Sequence, residues 1–127
     1  MYEIKYIELK SGYSDNGPAW IGKVKVSKSG KTLYFNDKAF RRFCGGLGNY
    51  YDVETGEDYW ISGVKRDGGD RHPAGSGKIV IDEKIVPQYL ELVGKEKLNP
   101  SVFIVEKIDD VFPVERIRAL ENEKVNE

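Results

Sequence analysis

The stretch Lys65-Arg66-Asp67-Gly68-Gly69-Asp70-Arg71-His72 gathers cations, carboxylates and the single imidazole of the chain on a glycine-permissive backbone. Chemically, Asp70 or His72 has the proton affinity of a general base, and Arg71 has the planar fork that holds an anion. Groups of this kind on a loop beside a rigid scaffold serve binding as readily as catalysis. A second polar loop, Ser11 to Pro18, presents Tyr13, Asp15 and Asn16. The candidate binding residues are therefore Tyr13, Asp15, Asn16, Lys65, Arg66, Asp70, Arg71 and His72. They make one site if both loops sit at one end of the scaffold. The plainer account of each loop is a solvated connection whose charges satisfy one another.

No catalytic residue follows from the sequence. Triad chemistry needs a nucleophile, a base and an orienting group, and only Cys44 and His72 are available for the first two. A cysteine between Phe43 and Gly45 is more often a small buried residue. One cysteine and one histidine supply neither a disulfide nor a thiolate metal cluster, so no metal is expected. Gly75-Ser76-Gly77-Lys78 has the ending of a phosphate loop but holds His72 where the first glycine belongs and Ile79 where a Ser or Thr belongs. Gly45-Gly46-Leu47-Gly48 lacks the spacing of the dinucleotide fingerprint. No cofactor is implied.

Charge is unevenly distributed. Pro18 to Cys44 carries seven Lys/Arg against Asp37 alone, a local net of +6, whereas Ile79 to Glu127 carries a net of −4. With aromatics interleaved, the 23–42 stretch has the composition of a single-strand nucleic-acid face, where cations track phosphates and rings stack on bases. A sequence pI near 5.9 lacks the strongly basic footprint of a nucleic-acid-binding domain. Trp20, Leu33 and Phe35 also fit a buried face.

The elements that must position these groups are short. Tyr2 to Leu9 alternates as a strand, with a phase slip at Tyr6-Ile7 that a bulge would explain. Trp20 to Lys28 and Lys31 to Phe35 form a hairpin about Ser29-Gly30. Further strands are expected over Lys38–Phe43, Tyr50–Val53, Asp58–Arg66, Lys78–Asp82 and Ser101–Ile108, with turns at Asn36-Asp37 and Glu54–Glu57. Helices are expected from Pro87 to Val93, stopped by Gly94, and after Pro113, where Val114, Ile117 and Leu120 recur at helical spacing. The fold class is mainly β (α+β): an antiparallel sheet or small barrel with one or two C-terminal helices. A chain of 127 residues fits one domain, residues 1–121, with a frayed polar tail over 122–127. No stretch approaches a membrane span or a signal-peptide core, so a soluble cytoplasmic protein is expected.

Two long strings carry a resemblance. Ile7 to Gly22, containing Ser-Gly-Tyr-Ser-Asp-Asn-Gly-Pro-Ala-Trp-Ile-Gly, and Gly48 to Lys65, containing Gly-Asn-Tyr-Tyr-Asp-Val-Glu-Thr-Gly-Glu and Tyr-Trp-Ile-Ser-Gly-Val-Lys, resemble a family of small bacterial proteins of unknown function. The resemblance spans roughly residues 2–85. Some proteins of this kind bear the label 1-deoxy-D-xylulose-5-phosphate synthase, which implies a multidomain thiamine-diphosphate enzyme. Gly68-Gly69-Asp70-Arg71 does not match the Gly-Asp-Gly start of its cofactor motif, and the chain is several times too short. The resemblance thus carries over no catalytic residue. The expected function is a small non-enzymatic binding or interaction module working through loops 11–18 and 65–77 on an unknown protein or an anionic ligand. The alternatives are a small enzyme or ligand-binding protein with Asp70, Arg71 and His72 in a pocket, and nucleic-acid binding by the basic 23–42 face.

Overall fold

The computed structural model describes residues 1–10, 17–43, 45–65 and 78–125, with backbone alone for the last five. Six strands close into an antiparallel barrel: β1 (Tyr2–Leu9), β2 (Ala19–Val26), β3 (Thr32–Phe35), β4 (Lys38–Arg42), β5 (Tyr50–Asp52) and β6 (Asp58–Gly63). They run in the order β1-β6-β5-β4-β3-β2, and β2 pairs back to β1. Closure removes the unpaired edges that an open sheet would carry.

Two strands extend the barrel in parallel rather than antiparallel fashion. β7 (Ile79–Asp82) lies beside the first half of β2, Ala19 opposite Ile79, and β8 (Phe103–Glu106) lies beside β7. The tight-turn pattern of the sequence pointed only to antiparallel pairs. The difference arises because the chain reaches each of these strands by a long connection, which parallel pairing requires. Between β7 and β8 run a 3₁₀ turn, Glu83–Ile85, and helix α1 (Val86–Val93), capped by Gly94 at φ 67°. A second helix, α2 (Val114–Val125), follows Pro113 and carries helical backbone into the stretch read as a tail.

The bulge expected at Tyr6-Ile7 is absent. β1 pairs residue for residue with β2 from Tyr2↔Lys25 to Glu8↔Ala19, and with β6 from Lys5↔Gly63 to Leu9↔Tyr59. The apparent slip has another cause: both faces of β1 are apolar where both are covered. Ile7 points into the barrel with Val24, Leu33, Phe35, Phe40, Tyr59 and Ile61. Tyr6 points outward with Ala19, Ile21, Ile79 and Ile81, beneath Ile85, Tyr89 and Val93. Strands buried on both faces lose their alternation.

A third cluster seats α2 on the barrel: Ile117 packs on Tyr34 and Ala39, with Val53, Phe112 and Val114 around them. Asn36 and Asp37 both hold positive φ, as a two-residue hairpin turn with matched twist requires. That turn presents Asp37 to Arg116 of α2, at 2.8 Å, and Arg116 also reaches Glu54 at 2.8 Å. Hydrogen bonds to Glu54 and Asp37 hold the guanidinium protonated well beyond its ordinary range. Among the described residues no helix is long and apolar enough to cross a membrane.

Two outcomes follow from this packing. Ile117→Ala opens a void under α2 and is expected to cost about 2–5 kcal/mol, read by urea denaturation, with the amides of α2 losing hydrogen-exchange protection first. The Tyr59 hydroxyl has its pKa pushed up to about 12, chiefly by burial and secondarily by the charges of Glu57 and Asp52. Because the folded form holds this proton more tightly than the unfolded chain, the associated stability is complete below pH 10 and lost as pH rises toward 12. Tyr59→Phe should flatten that alkaline decline in thermal denaturation; an unchanged decline would refute the assignment.

Candidate functional site

The outward row of β1 carries charge where its flanking residues are apolar. Glu8 is only 2 % exposed. Its carboxylate accepts a hydrogen bond of 2.5 Å from the Tyr6 hydroxyl and sits 2.8 Å from the Lys10 ammonium. Residues two apart on a strand share a face, so Tyr6, Glu8 and Lys10 line up without help from other elements. A buried carboxylate is tolerated only with such partners, because its desolvation otherwise exceeds what packing returns.

This row borders the first polar loop. Leu9 donates its N–H to the Pro18 carbonyl at 2.9 Å, and Gly17 lies so close that a Cβ there would fall 2.0 Å from the Leu9 carbonyl oxygen. The loop therefore leaves β1 at Lys10 and is pinned again at Gly17. The second loop leaves at Lys65, which is exposed, after β6 has passed Gly63 opposite Lys5. It returns at Lys78, next to Ile79 and hence beside Ala19. One stem of the second loop thus shares an end of the barrel with the first loop, and the other stem does not. Tyr13, Asp15, Asn16, Arg66, Asp70, Arg71 and His72 lie outside the described residues, as does Cys44.

Sequence reading passed over residues on the same outer surface. Tyr59 and Ile61 point into the barrel, so Trp60 between them points out and is 42 % exposed. It stands opposite Glu8 in the β1–β6 register. Period-two alternation in β6 carries that signal, since Trp60 falls between the inward Tyr59 and Ile61. On the next row Arg41, Tyr51 and Asp58 stand side by side across β4, β5 and β6. Asn49 secures this region, its amide accepting from Ile61 N–H and donating to Ile61 C=O, both at 2.8 Å.

The basic stretch does not form one face. Lys23 and Arg41 point outward, but Lys23 lies 3.4 Å from Asp110 and above the Tyr2 ring, and Arg41 donates to Thr32. Lys38 alternates with Ala39 onto the opposite face and reaches toward the buried Asp52 at 3.9 Å. Arg42 lies over Tyr50. Among the described residues there is no group of three or more His, Cys, Asp or Glu placed to hold a metal ion. No family model, curated protein or solved structure matches this chain.

Removing the Glu8 carboxylate takes one partner from the Lys10 ammonium and one from the Tyr6 hydroxyl. Glu8→Ala is expected to cost roughly 3 kcal/mol and Tyr6→Phe about 1 kcal/mol, compared by urea denaturation. Equal, negligible losses would show that the row contributes nothing to the fold.

Proposed function

We propose that the chain is a small non-enzymatic binding module that receives a partner protein on the outer surface of β6 and β1, between the stems of loops 11–18 and 65–77. The observation that carries this reading is Trp60, exposed beside the buried Glu8 and its partners Tyr6 and Lys10. A large ring held on a rigid strand next to a fixed charged pair is the makeup of an interface anchor: it loses little conformational freedom on docking and brings much area. The candidate residues of the two loops, Tyr13, Asp15, Asn16, Lys65, Arg66, Asp70, Arg71 and His72, have the polar chemistry that an interface rim requires.

The test compares affinity capture from a bacterial lysate by four tagged forms: wild type, Trp60→Ala, an Asp70→Ala/Arg71→Ala double variant, and Leu92→Ala on α1 as a remote control. A genuine partner is retained by wild type and Leu92→Ala and reduced about tenfold or more by Trp60→Ala, the loss expected for an anchor. Retention of every captured protein equally by all four forms would remove the basis of the proposal.

A further inference from the structure

We infer that the depression walled by Phe43 and Tyr51 is a receptor for a single cationic side chain, an arginine or lysine presented by a protein. The depression has a volume of about 330 Å³ and is lined by Phe43, Tyr51, Gly56 and Asp58. Phe43 is 49 % exposed, and its ring meets that of Tyr51 edge-on, the centroids 6.0 Å apart at 77°. One ring therefore turns its face where the other turns its edge. The carboxylate of Asp58 accepts a hydrogen bond from the Leu47 N–H at 3.3 Å, and no described cation pairs with it.

The backbone opposite is shaped around that carboxylate. A Cβ on Gly46 would fall 2.5 Å from Asp58 Oδ1, so a side chain there would push Asp58 aside. Two cations flank Asp58 on this face: Lys10, whose N–H meets the Asp58 carbonyl at 2.9 Å, carries its ammonium to Glu8 at 2.8 Å, and Arg41, beyond Tyr51, directs its Nε to Thr32 at 3.2 Å.

Three ligand classes can be compared on these groups. An anion would meet the negative charge of Asp58. A purely apolar group would bury a carboxylate whose one donor among the described residues is the Leu47 N–H, which costs more than the rings return. A guanidinium or ammonium satisfies both features, lying against the electron-rich ring faces while donating to the carboxylate. Arginine fits better than lysine, since its plane stacks on a ring and its fork engages both carboxylate oxygens. An isolated cation held by a partly exposed site binds weakly, at roughly millimolar Kd, and gains affinity when a protein surface presents it.

The decisive experiment titrates the full-length ¹⁵N-labelled chain with Nα-acetyl-arginine amide at low salt, with Nα-acetyl-glutamine amide as the neutral control. Saturable shifts are expected at the amides of Leu47, Gly56 and Tyr51 with the arginine probe only. Asp58→Asn retains an acceptor for Leu47 N–H but not the charge, and should weaken binding about tenfold; Tyr51→Leu should weaken it similarly. Overlay of the unperturbed amides reports that each variant folds. Absence of shifts, equal shifts with the glutamine probe, or unchanged affinity in Asp58→Asn would overturn the inference. It shares a surface with the proposed interface but uses neither Trp60 nor the loops. Probe binding without partner capture, or the reverse, therefore assigns failure to one proposal alone.

Discussion

The architecture depends on one strand having three neighbours. β2 gives its whole length to β1 on one side. On the other it serves β7 along Ala19–Ile21 and β3 along Lys25–Val26. This division is forced by the β3–β4 hairpin, which turns at Asn36-Asp37 before it can reach the start of β2. The vacated edge must be paired, since exposed strand edges recruit other chains. β7 fills it, and the chain beyond β8 seals the join: Ile108 enters the barrel cluster and the Val111 carbonyl accepts the Asp37 N–H. Asp82 anchors that crossing, fully buried, receiving N–H groups from Lys84 and Ile108 while the Lys84 ammonium lies at 3.2 Å.

From this division the distribution of cover follows. The β7–α1–β8 unit brings α1 over the outward residues of β1, β2 and β7, where Tyr89 meets Phe103 edge-on. α2 takes the outward residues of β3 and β4. Neither helix lies over Trp60, so the outer surface of β6 carries its own polar and aromatic groups. The same shortage of cover makes Glu8 and Asp58 notable. One carboxylate is closed in with Tyr6 and Lys10, and the other stands half-exposed with a single amide donor. They are adjacent in space on β1 and β6 yet chemically opposite: the first is committed to structure, the second has capacity to accept more.

Much of the architecture was legible in the residues. Alternation in β2, the turns at Gly30, Asn36-Asp37 and Gly56, and helical spacing at Val114, Ile117 and Leu120 all gave local answers to local questions. What was not legible is non-local. Whether Tyr6 and Ile7 faced one cover or two depends on α1, which lies some eighty residues further on, so a doubly buried strand looked like a defect. Closure of the barrel and the parallel addition of β7 have no signature in a neighbouring residue. The proposed site was half-visible for the same reason. Loop chemistry drew attention to residues 11–18 and 65–77, but the outward placement of Trp60, and the meeting of Phe43, just past β4, with Tyr51 of β5 and Asp58 of β6, exist only once the sheet has closed.

The order of elements along the chain has a consequence for synthesis. Every strand of the barrel lies within the first 63 residues, so the barrel can close while the ribosome is still adding the remainder. Tyr6, Ala19 and Ile21 would then face water until residues 79–93 emerge to cover them. During that interval the nascent domain would display an apolar stripe and one open edge along the first half of β2, and open strand edges recruit other chains. Slow translation through the segment between β6 and β7 prolongs this window, and fast translation shortens it.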